Sequence, residues 1–342
     1  MPDSANALVQ IRTPTYKRPV ALRRALASMQ AQTWQNWVCD VYDDDPEAAG
    51  RQVCEALNDP RIHYHHNVPQ RFASRNIDSC FSAENPRGAD YFCVVEDDNS
   101  ILPHFIAENI ALCRGKGVEI VLRNQFIEHA SGTESAYLSP GGVLDDLFVE
   151  GLYDPATFRM ALLAGIGVSN GGLFWSRKAR SNLEIQYQCT ATLQEYLRTF
   201  AIREPVYVAM TPLAVWAENA EQTTRNAELK ASWLRRELDL KRSVQALQRR
   251  VWSEASPAER AGFLTNPRFA ASGATRAGTL AKALLGPADG LSPASTLKLR
   301  SRGLMIRLLG RVTPEFKSFV EARSSTPPAR PSPSPVEANE LG

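Results

Sequence analysis

Short apolar segments alternate with amphipathic stretches through residues 7–126 of the chain. The apolar segments predict strands at residues 7–13, 37–43, 61–65, 91–96 and 118–125. The stretches between them predict helices at residues 19–32, 47–57, 72–83 and 103–114. Two of these helices begin with a proline, which suits the first helical turn. Regular alternation of strands and helices predicts a mostly parallel α/β sheet flanked by helices, a Rossmann-like arrangement.

The periodicity weakens after residue 126, where Gly-rich and polar pieces surround a predicted helix at residues 155–163. A strand at residues 171–177, a helix at 190–200 and a strand at 206–210 follow. The pattern then predicts a long charged helix at residues 227–251 and basic helical pieces at 298–310 and 314–322. We therefore expect an α/β domain over residues 1–225 and a basic helical extension over residues 226–323. Residues 324–342 are rich in Pro and Ser and are predicted to be disordered.

Composition adds information mainly through the distribution of charge. The formal net charge is only +2 over 342 residues, and nothing in it points to nucleic acid as a partner. Acids outnumber bases by roughly seven up to about residue 220, whereas the remainder carries roughly nine more bases than acids. No apolar run approaches the ~20 residues that span a bilayer, and no signal-peptide pattern is present. We expect a cytoplasmic protein whose last third presents a basic surface.

The six cysteines show no CxxC spacing. Cys39, Cys93 and Cys113 fall within apolar strand or helix patterns. These positions predict reduced core residues, as opposed to disulfides or zinc ligands.

The most informative segment is the strand at residues 91–96, because it ends in three consecutive carboxylates, Glu96, Asp97 and Asp98. Like charges this close need a cation, a proton or hydrogen-bond donors. Side chains alternate along a strand, so Glu96 and Asp98 are expected to face one way as a pair of metal ligands and Asp97 the other. The alternative is a solvated turn, or the N-cap of the helix after Pro103.

Two other predicted strands also end in polar residues. Residues 13–16 (TPTY) follow the first strand and residues 43–45 (DDD) end the second. Ligands of open α/β sheets gather beyond the carboxyl ends of the strands, so the three ends are expected to form one site. The chain has neither a GxGxxG after its first strand nor a GxxxxGK[ST]. A metal held by acids, helped by arginines, would hold phosphate instead.

These segments resemble the inverting glycosyltransferases of family 2, which have the GT-A fold. The resemblance is carried by residues 13–19 (TPTYKRP), 22–34 (LRRALASMQAQTW), 41–45 (VYDDD), 75–76 (RN) and 96–98 (EDD). It covers about residues 7–225 and implies a nucleotide-binding half at 7–126 and an acceptor-binding half at 127–225. The implied activity is transfer of a sugar from a nucleotide-sugar donor, UDP-linked by preference, to a hydroxyl of a glycan, lipid-linked or small-molecule acceptor.

The resemblance also implies roles for individual residues. Thr15 and Tyr16 would form the base and ribose pocket, and Asp44 would accept a hydrogen bond from the base. Asp97 would bind ribose and Asp98 a divalent metal, Mn²⁺ or Mg²⁺, with Glu96 as a further candidate ligand. The donor-binding set is completed by Pro14, Arg18, Arg71 and Arg75. For Arg71, an exposed residue at a helix start is the alternative.

Inversion by direct displacement requires a general base that deprotonates the acceptor hydroxyl. The family's base lies at a helix start that corresponds here to residues 191–198, which makes Glu195 the expected base. Many relatives have two acids where this chain has Gln194 and Glu195. A solvated pair between Glu195 and Arg198, three residues on, is the alternative. Asp145, Asp146 and Glu150 are the substitutes for the base.

One departure from the family concerns histidine. Many relatives have a His after the last core strand that assists the metal or diphosphate, but the five histidines here all lie earlier, at 63, 65, 66, 104 and 129. Metal coordination is then expected to rest on Asp98, diphosphate and water. His63, His65 and His66 are expected to be strand-face residues.

Two questions stay open on the sequence alone. The activity could be that of a nucleotidyltransferase, or the chain could be a non-catalytic module that binds nucleotide or glycan on the same sheet. The basic pieces near the C-terminus could rest on the anionic inner face of a membrane, or they could pack on the α/β domain or form a homodimer contact.

Overall fold

The structure is a computed structural model that describes residues 6–145, 147–164, 167–219, 230–256, 258–259, 293–294, 297 and 312–324. The strands are β1 (Val9–Thr15), β2 (Trp37–Asp43), β3 (Ile62–His66), β4 (Tyr91–Val94), β5 (Ser100–Ile101), β6 (Ile120–Ser131), β7 (Tyr137–Gly142), β8 (Gly151–Tyr153), β9 (Leu173–Ser176) and β10 (Val206–Asn219). The helices are α1 (Pro19–Gln30), α2 (Ala49–Leu57), α3 (Ala73–Ser79), α4 (Phe105–Lys116), α5 (Pro155–Arg159), α6 (Ala191–Ala201), α7 (Lys230–Glu254) and α8 (Pro314–Ser324). Two 3₁₀ turns lie at Met160–Ala164 and Asn170–Gly172.

The strands form one mixed sheet of order β3-β2-β1-β4-β9-β6-β10-β5, with β7 beside β6 and β8 beside β10. β1 lies parallel to β2 and β4, and β2 lies parallel to β3. β9 runs antiparallel between β4 and β6. The predicted α/β class is confirmed. Strands and helices alternate along the chain in the half of the sheet formed by β1, β2, β3 and β4, and the strand pairs of this half are parallel.

Two apolar layers hold the sheet. On one face Val9 and Ile11 of β1 pack with Leu22 of α1 and Phe105 of α4. On the other face a second cluster contains Phe81, Phe92, Leu147 and Phe158. The central strands are buried on both faces. Because β1, β2 and β4 run parallel, their carboxyl ends lie along one edge of the sheet.

The strand predicted at residues 91–96 ends earlier in the structure, before the acidic segment. β4 ends at Val94, which pairs with Arg12 of β1, and not at residue 96. The chain then turns, and the Asn99 N–H donates to the Glu96 carbonyl at 3.0 Å. Because Glu96–Asp98 lie in this turn, strand alternation does not determine where their side chains point.

The described C-terminal helices pack on the α/β domain. In α7 the buried residues are Leu240, Val244, Leu247 and Val251, and in α8 they are Phe316, Phe319 and Val320. Both sets share an apolar cluster with Leu193, Leu197 and Phe200 of α6. Residues 298–310, whose basic pattern raised the question of a membrane contact, lie outside the described residues, as does the tail beyond Ser324.

Two further observations concern the whole of the described chain. All six cysteines are free; five are buried, including Cys39, Cys93 and Cys113, and Cys189 is half-buried. Among the described helices, none has the length and apolar character needed to cross a bilayer.

Candidate functional site

Asp97 is fixed to the carboxyl end of β1. The hydroxyl of Thr15 donates to Asp97 Oδ2 at 2.8 Å, and the Tyr16 N–H donates to the same oxygen at 3.3 Å. Tyr16 itself stays half-exposed beside this carboxylate, while Pro14 is buried two residues earlier. The predicted meeting of the β1 and β4 strand ends is therefore present.

Arg18 joins the two aspartates of the turn. Its Nη1 lies 3.2 Å from Asp97 Oδ1 and also contacts Asp98 Oδ2. The expectation that Asp97 and Asp98 face opposite ways is wrong, because both follow the end of β4 and one guanidinium reaches both. The N-cap alternative is also wrong, since α4 begins at Phe105, beyond β5, and its N-cap residue is His104.

Asp44 lies at the next strand end and presents an acceptor that has no partner. Its N–H donates to the Thr15 carbonyl at 3.0 Å. Its Oδ1 accepts from the Asn67 amide and from the Arg71 N–H, both at 2.9 Å. Its Oδ2 is buried without a hydrogen bond to any described residue. A buried oxygen of this kind costs free energy unless a ligand donates to it.

Asn67 is itself held in place by Asn76, whose Oδ1 accepts from it at 3.0 Å. Asn76 also donates to the Tyr42 carbonyl at 3.0 Å, so it supports the Asp44 loop from below. The neighbouring Arg75 and Arg71 are exposed and line a cleft of about 430 Å³. Of the arginine-asparagine pair, Asn76 is thus a structural residue and Arg75 is available to a ligand.

Asn170 connects the acidic turn to α6. Its Nδ2 donates to Glu96 Oε1 at 2.9 Å, and its Oδ1 accepts from Arg198 Nη1 at 2.6 Å. The pKa of Glu195 is affected both by the charge of Glu96 and by the backbone of Asn170, so its carboxyl group lies near both. One asparagine in a glycine-rich turn therefore links the acidic turn to α6, the helix of Glu195, although the sequence pattern did not indicate it.

Three carboxyl groups at this site have raised pKa values. Burial and the charge of Asp98 raise the pKa of Glu96 and of Asp97 to about 7. Burial and the charge of Glu96 raise the pKa of Glu195 to about 8. Crowded carboxyl groups with raised pKa values are typical of sites that handle protons or bind cations.

Arg198 does not form the solvated pair with Glu195 that the sequence offered as an alternative. It is fully buried, and its guanidinium donates to Asp78 Oδ1 at 2.9 Å and to the Leu183 carbonyl at 2.9 Å. The guanidinium carbon also lies 3.6 Å from the centre of the Phe81 ring. Asp78 in turn accepts from the Ile185 and Gln186 N–H groups at 2.9 and 2.7 Å. Arg198 therefore supports the site from beneath.

We expect Arg198→Met to lower the free energy of unfolding by about 3–5 kcal/mol, because it leaves Asp78 buried without its charged partner. Arg250→Met is the matched control, since Arg250 forms an exposed pair with Glu254 one helical turn away. The control should cost no more than about 0.5 kcal/mol. Urea unfolding followed by circular dichroism measures both. Equal effects of the two substitutions would show that the buried ion pair does not stabilise the fold.

The substitutes for the base have structural partners. Asp145 accepts from the Asn124 amide at 2.7 Å and from the Gly142 N–H at 2.8 Å. Glu150 accepts from the Tyr207 hydroxyl at 2.9 Å. Asp146 lies outside the described residues.

The histidines of β3 are strand-face residues, as predicted. His65 Nε2 lies 2.7 Å from Asp40 Oδ1, and His66 Nε2 lies 2.9 Å from the Asp45 carbonyl oxygen. Throughout the described part of the chain, no three His, Cys, Asp or Glu side chains are arranged around a common metal position. The described residues therefore do not form a metal site made entirely of protein ligands.

The acidic turn nevertheless fits a divalent cation that is shared with a diphosphate. Mg²⁺ is commonly bound through one or two carboxylates, with the other ligands supplied by phosphate oxygens and water. Asp98 offers a half-buried carboxylate at the open edge, and burial together with the charge of Asp98 raises the pKa values of Glu96 and Asp97 despite the nearby Arg18. The donor set consists of hard oxygens, which suits Mg²⁺ or Mn²⁺.

The sheet order and the acidic turn at its edge are those of a GT-A fold. In structure comparison, TarS residues 1–349 from S. aureus, in complex with UDP-GlcNAc, superposes with a TM-score of 0.53 at 11% identity, covering 87% of this chain and 91% of that one. Residues 11–175 match the sequence model of glycosyl transferase family 2. Residues 11–175 of this chain are therefore similar to the domain of family-2 glycosyl transferases.

One curated relative is also a glycosyl transferase. The Escherichia coli (strain K12) protein WcaA, assigned as a colanic acid biosynthesis glycosyl transferase, is 26% identical over 140 residues. The match covers 40% of this chain and 46% of the relative, so the chain spans less than half the length of that protein.

Proposed function

We propose that this chain transfers a sugar, with inversion, from a UDP-linked donor to a hydroxyl of a glycan, lipid-linked or small-molecule acceptor. The observation that supports the proposal is the contact set of Asn170, which donates to Glu96 of the acidic turn and accepts from Arg198 of α6, the helix of Glu195. The candidate donor-binding residues and the candidate base would then share one edge of the sheet, where ligands of α/β folds bind.

Donor binding is assigned to the residues around Asp44 and Asp97. The unpartnered Asp44 Oδ2 is suited to an N–H of the nucleobase, and the half-exposed ring of Tyr16 is suited to stacking on the base. Asp97, oriented by Thr15 and Arg18, is suited to the ribose hydroxyls. Arg71 and Arg75 provide exposed guanidinium groups for the diphosphate.

A divalent metal is proposed at Asp98, with Glu96 as the second candidate ligand. When bound, such a metal neutralises the charge that develops on the departing diphosphate. Because Arg18 contacts Asp98 in the structure, its guanidinium has to release that carboxylate when the metal binds.

Glu195 is the proposed general base. Its carboxylate takes the proton of the acceptor hydroxyl as the hydroxyl oxygen attacks the anomeric carbon and the bond to the diphosphate breaks. The raised pKa makes Glu195 a stronger base than an ordinary glutamate. Attack opposite to the leaving group gives inversion.

Asp44→Asn should weaken UDP binding by about tenfold to a hundredfold, because the substitution replaces the unpartnered acceptor with an N–H donor while keeping the side-chain shape. Asp45→Asn is a control one residue away, since the Asp45 oxygens accept from the Glu47 and Ala49 N–H groups of its own loop. Calorimetric titration with UDP measures both. Unchanged affinity for Asp44→Asn would remove Asp44 from the base pocket.

The pH dependence of transfer follows from the pKa of Glu195. A base must be deprotonated to act, and burial together with Glu96 raises its pKa to about 8, against a weaker opposing effect of Arg198 and the Asn170 N–H. We therefore expect kcat/KM to rise by about tenfold per unit between pH 6 and 7.5 and to level off above about pH 8. A profile that is flat from pH 5.5 to 8 would contradict a base with a raised pKa.

The assignment of glycosyl transfer from UDP-sugars is tested by UDP release from a panel of UDP-sugars, with and without Mn²⁺ or Mg²⁺. Release is the expected result. Binding of UDP without release from any donor would favour a non-catalytic module.

A further inference from the structure

A polar cleft lies on the α6 side of the arginines assigned to the diphosphate. It has a volume of about 430 Å³ and is lined by Arg71 and Arg75 at one end and by Gln194 at the other. Gln194 immediately precedes Glu195, the proposed base. The cleft therefore connects the arginines assigned to the diphosphate with the first turn of α6, which precedes the proposed base.

Gln194 has an unsatisfied hydrogen-bond acceptor in this cleft. Its side chain is only 2% exposed, and its Oε1 has no hydrogen bond to any described residue. Burying an unpaired carbonyl oxygen costs about 1–3 kcal/mol, so such atoms in native proteins usually have a ligand or water as partner. A hydroxyl group is the simplest donor for an amide oxygen at this position.

The cleft continues beyond the α/β domain. A second cavity of about 210 Å³ is lined by Thr190 before α6, by Ser243 of α7 and by Thr313 before α8. Tyr187 and Gln188 line both cavities, so the two are neighbours, and together they are called the groove below. The second cavity also includes Arg242, Cys189 and the apolar side chains Leu193, Leu240 and Phe316.

The chemistry of this groove matches a chain of hydroxyl-bearing rings. Amide groups of Gln186, Gln188 and Gln194 and hydroxyl groups of Thr190 and Ser243 supply donors and acceptors along its length. The ring of Tyr187 is held by Phe316 and Phe319, at 5.8 and 5.3 Å between ring centres, and provides a rigid aromatic surface in the middle. Asp78 adds little negative charge, because Arg198 neutralises it.

We propose that the acceptor is a glycan of two or more sugar units that lies along this groove. The unit that receives the new sugar donates a hydroxyl to Gln194 Oε1, and the next unit occupies the second cavity between Tyr187 and the C-terminal helices. This proposal rests on the proposed glycosyl transfer and selects, among its three acceptor classes, a glycan longer than one unit. It also gives α7 and α8 a role in acceptor length selection.

The test compares acceptors of different length in the full-length protein. UDP release from UDP-sugars in water is measured first, which establishes donor cleavage independently of the acceptor. Transfer is then measured with mono-, di- and trisaccharides of glucose, galactose, mannose and N-acetylglucosamine. For at least one series, kcat/KM should rise by about tenfold or more from one unit to two, a gain that one added set of contacts can supply.

Two substitutions in the groove should have different effects. Gln188→Trp, at an exposed position where the cavities join, should lower the ratio of kcat/KM for disaccharide over monosaccharide by about tenfold. Gln194→Met should raise KM for both acceptors by a similar factor, about fivefold to tenfold, because it removes the contact to the first unit. Gln52→Trp, on the exposed face of α2, is the control and should keep the wild-type ratio.

Donor cleavage combined with equal kcat/KM for one, two and three units would overturn the groove assignment and leave glycosyl transfer intact. Donor cleavage without transfer to any saccharide of the panel would likewise overturn a glycan acceptor. Absence of donor cleavage would instead count against the proposed function itself. A wild-type ratio in Gln188→Trp would show that the second cavity does not bind the acceptor.

Discussion

Glu195→Gln should reduce sugar transfer by about 10²–10⁴-fold while leaving UDP-sugar affinity near that of the wild type. Glutamine keeps the length of the side chain, but it cannot take a proton from the acceptor. The effect should appear in kcat, since the substitution removes an interaction needed only in the transition state. Transfer kinetics and calorimetric donor titration measure the two quantities separately.

Glu150→Gln is the matched control for this substitution. Glu150 is the other described glutamate considered as a base, and its carboxylate accepts from the Tyr207 hydroxyl. The control should retain close to wild-type turnover. Retained turnover in Glu195→Gln together with loss in Glu150→Gln would place the base at Glu150.

Asp98→Ala should abolish the part of UDP-dependent thermal stabilisation that requires Mn²⁺. At a ligand concentration of about 100 Kd, binding stabilises the native state by about 2.7 kcal/mol, which corresponds to about 5 °C for a chain of this size. Without the Asp98 carboxylate, the metal loses its main protein ligand at the turn, and UDP with Mn²⁺ should stabilise no more than UDP alone.

Asp59→Ala is the control for charge removal, because Asp59 also pairs with an arginine, Arg61, at 2.7 Å. Asp59 precedes β3 and therefore lies at the amino ends of the parallel strands, whereas the acidic turn follows the carboxyl end of β4. Its substitution should preserve the full metal-dependent increase in Tm. The same increase in Asp98→Ala would remove Asp98 from the metal site.

The parallel half of the fold was predictable because its signals are local. Strand β1, helix α1 and strand β2 follow one another with alternating apolar periods, and Pro19 marks the helix start. The antiparallel β9 was not predictable as the neighbour of β4, because the pairing of Tyr91 with Ser176 depends on contacts between distant parts of the chain. The prediction that side chains alternate through residues 96–98 also failed, because three consecutive acidic residues do not continue the buried strand β4.

The candidate site likewise contains residues that the sequence could identify and residues that it could not. Thr15, Asp44 and Asp97 could be identified because each stands at the carboxyl end of a predicted parallel strand. Asn170 could not, because it is a polar residue in a glycine-rich turn, a composition common to many loops. It is separated by 74 residues from Glu96. The neighbouring Gly171–Gly172 pair was the local sign in the sequence that this turn packs closely. In the structure, a Cβ at Gly172 would lie 2.6 Å from the Arg123 carbonyl oxygen.

The unpartnered oxygens of Asp44 and Gln194 were also beyond sequence analysis. Whether a polar side chain is satisfied depends on every group around it, and only the folded chain shows that Asp44 Oδ2 and Gln194 Oε1 are buried without a hydrogen bond among the described residues. These two atoms mark the donor and the acceptor ends of the proposed reaction.

The central claim is that Glu195 assists a single displacement at the anomeric carbon. Proton NMR of the glycoside formed from UDP-α-linked donors tests it most directly, because the anomeric coupling reports the configuration of the new glycosidic bond, which does not mutarotate. We predict a β-configured product from the wild type and almost none from Glu195→Gln. An α-configured product, or a β product formed equally fast by Glu195→Gln, would contradict this account.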